Sequence, residues 1–137
     1  MNGIIDVGLY RTQVMIHFGE LTELEQILKS YLGKDETDEV LTKFNGNESG
    51  KTLELSGGQI IIYLPTKPKD ADSFALLTHE LFHATHFILE KVGITFSCDS
   101  DEAFAYLLDY LVERTISTFS LSLQPMCEDC SSLALQG

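Results

Sequence analysis

Three features of the chain predict an α+β fold: β-branched runs near residues 4–18 and 59–64, apolar residues at helical spacing in three later stretches, and a glycine pair parting two β-prone segments. With 137 residues, 44% of them hydrophobic and 22% charged, the chain fits one globular domain with a modest core, which leaves no room for a second.

Ile4 to Phe18 suits two short strands or one bent strand, with Val14, Ile16 and Phe18 alternating against Met15 and His17 until Gly19 ends the run. His17 is read as an ordinary strand histidine. From Glu20 the pattern turns helical: Leu21, Leu24, Ile27, Leu28, Tyr31 and Leu32 form one stripe that can cover a sheet, and Gly33 stops it. Lys34 to Lys51 is rich in solvated and turn-forming residues and reads as a mobile excursion with a short helical turn around Val40 to Phe44. Thr52–Leu55, Gly57-Gly58 and Gln59–Leu64 read as a hairpin, and the unbroken Ile60–Leu64 run predicts a strand covered on both faces. After the stiff link Pro65–Asp70, in which Asp70 or else nearby Asp72 can act as a cap, a long helix is expected from about Ala71 to Val92, ended by Gly93. A turn, Ile94–Asp99, leads to a second helix from about Ser100 to Ser117, with Leu121 as its furthest end and Phe104, Leu107, Leu108, Leu111 and Val112 on its apolar side. Periodicity is lost beyond Gln124-Pro125, so the domain is set at 1–123 and a loose tail at 124–137.

A net charge of −12, from 21 acidic and 9 basic residues, repels phosphate backbones and anionic bilayers and argues against nucleic-acid or membrane partners. The first residues lack a basic leader, and no apolar run approaches the ~18 residues of a membrane span. A soluble, cytoplasmic protein is expected. Cys98, Cys127 and Cys130 are too few and odd in number for a disulfide framework, so reduced thiols are expected, with the C-x-x-C of Cys127 and Cys130 read as two unconnected tail thiols.

The chemistry lies in Thr78-His79-Glu80-Leu81-Phe82-His83 on the long helix. Two imidazoles four residues apart share one helix face and can offer their ring nitrogens to a single zinc ion, while Glu80 stands beside the metal to take a proton from water. Catalytic zinc normally takes three protein ligands. The candidate for the third is Glu102, in the opening turn of the next helix, which the intervening chain length lets fold back antiparallel. Asp101 and His86 compete with it: Asp101 is shorter and points about 100° away, and His79, His83 and His86 together spread over roughly 10 Å of helix, too far for one ion. Asp109 is a candidate carboxylate to orient a ligating imidazole, and Tyr106 a candidate donor to a developing oxyanion.

These residues resemble the zincin metallopeptidases in their gluzincin form, with His79, His83 and Glu102 as zinc ligands and Glu80 as general base. The short chain is also similar to the minimal zincin-like proteins encoded by phages and prophage-like elements of bacteria, whose cytosol would then hold it. The resemblance covers about Thr52 to Ser117. It implies a small mixed sheet with an edge strand packed beside the active-site helix, matched here by Gln59–Leu64, along which a peptide or protein substrate is received as an added strand. It further implies peptide hydrolysis in which zinc lowers the pKa of water toward about 7 and Glu80 carries the proton to the leaving amine. The rival expectation is a non-catalytic binding or regulatory protein of zincin shape, acting on a host protein, whose zinc is structural.

Overall fold

In the computed structural model, which describes residues 1–125, the chain opens with strand β1 (Asn2–Val7), a 3-10 turn (Gly8–Tyr10) and strand β2 (Thr12–Phe18). Helices α1 (Leu21–Leu32) and α2 (Lys34–Leu41), strands β3 (Lys51–Glu54) and β4 (Ile60–Leu64), and helices α3 (Ala71–Lys91) and α4 (Asp101–Phe119) follow. The strands form one sheet in the order β1-β2-β4-β3, antiparallel at β1/β2 and β4/β3 and parallel at β2/β4. The mixed α+β architecture is therefore as expected.

Strand alternation sorts the core into two sets. Val14, Ile16, Ile60, Ile62 and Leu64 pack under α3 and α4, against Leu77, Leu81, Ala84, Ile88, Phe104 and Leu111. Ile61 and Tyr63 face the other way and are covered by Leu24 and Leu28 of α1 and Val40 of α2. Burial on both faces removes all five residues of β4 from water, which is why that run carries no charged residue.

Two expectations are corrected here. Gln59–Leu64, expected at the sheet edge, lies inside it: β4 is paired with β2 on one side and β3 on the other, so no peptide can add to it as a strand. The edge beside α3 is β3, whose Lys51, Thr52 and Glu54 supply the polar character that edge strands carry. Residues 34–41 form a helix rather than an excursion; Thr37 and Val40 are buried, and the Thr37 hydroxyl donates to the Gly33 carbonyl at 2.6 Å.

Local chemistry fixes the ends of α3. Asp70 caps the first turn, accepting from the Ser73 amide at 2.9 Å while Ser73 Oγ accepts from the Asp70 amide at 3.0 Å. The Ser73 hydroxyl and amide together hold the Asp70 carboxyl below its ordinary value. At the other end Gly93 takes φ +84°, letting Ile94 N–H reach the Leu89 carbonyl and Gly93 N–H the Glu90 carbonyl, both at 2.9 Å. Helix α4 returns antiparallel: Phe104 near its start packs on Phe82 and His86, and beyond its end Gln124 N–H donates to Lys69 at 2.8 Å. The remainder of the tail, with Cys127 and Cys130, lies outside the described residues.

His17 is the strand histidine expected, and it is fully buried on the α1 face of β2. Its Nε2 lies 3.1 Å from the Glu20 carbonyl, its ring stacks at 11° on Tyr63, and among the described residues its buried Nδ1 has no partner. Burial lowers its pKa; the bond to Glu20 and the nearby Glu23 oppose this, and the N-terminal ammonium adds to it. The folded pKa is thus below 6.5, and the unfolded chain takes up the proton first. Stability from this residue is complete above pH 6.5 and is expected to fall as the pH drops below that value. Urea denaturation on both sides of 6.5 should show this decline in the wild type and a shallower one in His17→Phe; equal slopes would refute it.

Candidate metal centre

Helix α3 sits with one flank on the sheet, one against β3 and one against α4. Leu77, Leu81, Ala84 and Ile88 face the sheet, and Phe82 and His86 lean toward Phe104 of α4. The flank left to solvent carries His79 and His83, both exposed.

The two imidazoles meet: Nε2 of His79 and Nε2 of His83 are 3.1 Å apart, with the rings edge to face at 78°. Two Zn–N bonds of about 2.0–2.1 Å at a tetrahedral angle separate their nitrogens by roughly 3.3 Å. The pair is thus within a few tenths of an ångström of a zinc-chelating spacing. With no metal the same spacing suits one ring's N–H donating to the other's lone pair. Both readings require the rings to aim at one point.

Glu80 takes a different direction, about 60° around the helix from His83 and 100° from His79. It is 6% exposed and points at the edge strand, where Oε2 accepts from Thr52 Oγ1 at 2.5 Å. The same hydroxyl lies 3.1 Å from the Glu80 backbone carbonyl. Glu80 therefore flanks the histidines without joining them, its carboxylate turned toward Thr52 of the edge strand.

The other candidates are more dispersed. Glu102 is exposed in the first turn of α4, about 160° around the helix from Phe104, the ring that touches α3. Asp101, also exposed, lies on the Phe104–Leu108 stripe and so nearer the α3 side. Among the described residues no three His, Cys, Asp or Glu are gathered closely enough to hold a metal ion, so neither acid joins the histidine pair. His86 pairs with Glu90, Nδ1 to Oε2 at 3.6 Å, and packs on the Phe104 and Phe87 rings. Tyr106 is 70% exposed and lines a groove with Leu9, Tyr10 and Tyr110 on the β1 side of α4. Asp109 is exposed on the same outer face as Glu102, about 140° from Phe104. Cys98 is exposed in the connection between α3 and α4 and is a free thiol among the described residues.

Sequence reasoning missed Thr52 and Gly50. Alternation along β3 was the signal available: Leu53 packs with the α1 cluster, so Thr52 must face α3.

Comparison with family models, curated proteins and solved structures returned no match, so the chemistry has to be read from these side chains. Among the described residues no helix is long and apolar enough to cross a membrane.

Proposed function

We propose that this chain is a zinc-dependent peptidase of gluzincin type, with zinc held by His79 and His83 and Glu80 as the general base. The observation that carries this reading is the 3.1 Å approach of two exposed imidazole nitrogens one residue and one turn away from a buried carboxylate. The histidine pair fits zinc, with two imidazole nitrogens at chelating spacing; a third ligand from the opening turn of α4, Glu102 by reach or Asp101 by position, would have to move toward the pair, since neither is gathered with it among the described residues. Zinc held there would supply Lewis acidity toward water and the scissile carbonyl. The chain's own part is to accept the water proton at the Glu80 carboxylate and return it to the leaving amine. A peptide substrate pairs as an added strand with the outer side of β3, the edge next to Glu80, and gains affinity from main-chain bonds with little sequence choice. Tyr106 has no part in this reading, because it lies on the β1 side of α4, at the opposite edge of the sheet from β3. The acidic surface and sparse cysteines suit a reducing cytosol, bacterial if the chain is phage-encoded.

The second reading is a non-catalytic regulator acting on a host protein, with structural zinc. The Glu80–Thr52 bond favours it, since a buried carboxylate tied to a strand can serve the fold alone. Zinc-loaded protein incubated with a mixed peptide library separates the two. Cleavage that stops with chelator supports the peptidase; loss of thermal stability with chelator and no cleavage supports the regulator. Metal content of Asp101→Ala and Glu102→Ala assigns the third donor: the variant that loses zinc names it.

A further inference from the structure

Resting on the peptidase reading, we infer that Thr52 and Gly50 are positioning residues for Glu80, fixing its carboxylate at the foot of the edge strand that receives substrate. Thr52 Oγ1 is 2.5 Å from Oε2 and so engages one carboxylate oxygen. Gly50 closes the other side. A Cβ added there would lie 3.1 Å from Glu80 Cγ and 3.2 Å from Oε1, tighter than ordinary van der Waals contact. Gly50 is not among the positive-φ glycines, so the absent side chain leaves room for the carboxylate and is not needed for the turn.

The arrangement has a mechanical consequence. Glu80 leaves α3 toward β3, and both residues that confine it belong to the edge strand or the residue before it. A peptide adding to β3 therefore docks on the same backbone that sets the carboxylate's direction. Oε2, held by the hydroxyl, keeps the side chain in one rotamer, and Oε1, beside Gly50, is the oxygen left to meet water. A freely rotating base would spend most of its time misdirected, and small misplacements of a reacting group cost large rate factors.

The test uses full-length Thr52→Val, Thr52→Ser and Gly50→Ala, checked for folding by circular dichroism. Two readouts are taken: three-bond couplings reporting the Glu80 χ1 and χ2 rotamers by NMR, and kcat and KM for a peptide that the wild type cleaves. Thr52→Val is expected to average the Glu80 rotamers and to lower kcat about tenfold or more, with KM and zinc content unchanged. Thr52→Ser should restore both readouts, and Gly50→Ala should shift the Glu80 rotamer and lower kcat without touching the hydroxyl. A single rotamer and full kcat in Thr52→Val would overturn the inference. A wild type that cleaves no peptide, with rotamers averaged only in Thr52→Val, would overturn the peptidase reading and the catalytic purpose given to Thr52 here, while a rotamer unchanged by any variant would overturn the positioning itself.

Discussion

Glu80→Gln is expected to lower kcat for peptide hydrolysis by about 10²–10⁴-fold while zinc remains bound at the wild-type ratio. The substitution isolates one function. The amide keeps a carbonyl oxygen that can accept from Thr52, so the bond between α3 and the edge strand survives. It keeps the side-chain volume, which matters beside Gly50. It removes only the capacity to take a proton. Turnover measured together with metal content on the same preparation tells the two properties apart, and a variant cleaving at the wild-type rate would end the proposal that Glu80 is the base.

Leu81→Ala is expected to destabilise the fold by about 2–5 kcal/mol. Leu81 is fully buried and belongs to the cluster that seats α3 on Ile16, Ile60 and Ile62. Truncation leaves a cavity in the middle of the helix that carries the histidine pair, where the long central strand and α4 leave little freedom to collapse. Urea denaturation with an unchanged m-value reads the loss. Tyr106→Ala, at a side chain 70% exposed, should change stability by no more than about 0.5 kcal/mol, which calibrates the comparison. Equal effects of the two substitutions would mean that α3 is not anchored on the sheet through Leu81.

Much of the fold was legible because it is written in local chemistry. Asp70, Ser73 and Gly93 delimit α3 at Ala71 and Lys91, within a residue of the span expected from the spacing. The hairpin followed from Gly57-Gly58, where Gly58 takes φ +84° between β3 and β4. Strand order was less legible. The apolar run of β4 tells that its faces are covered, but which strands flank it depends on the parallel pairing with β2, made across the whole α1–α2–β3 connection. Such long-range pairing leaves no mark in a short window of sequence, and it moved the sheet edge beside α3 from Gln59–Leu64 to Lys51–Glu54. The site divided in the same way. The His79–His83 meeting follows from helix periodicity alone, whereas the direction of Glu102 depends on the rotation of α4, which its burial of Phe104, Leu107 and Leu111 decides. Thr52 and Gly50 are near Glu80 only in space, 28 and 30 residues away in the chain.

Zinc titration of the metal-free protein by calorimetry, beside His79→Ala, His83→Ala and the double variant, is the most direct measurement. Both rings are exposed, so their removal should leave the fold intact. The wild type is expected to bind one zinc per chain, with affinity reduced at least tenfold in each single variant and abolished in the double. Zinc bound equally well by the double variant, or no zinc bound by the wild type, would contradict the claim that His79 and His83 form a metal centre.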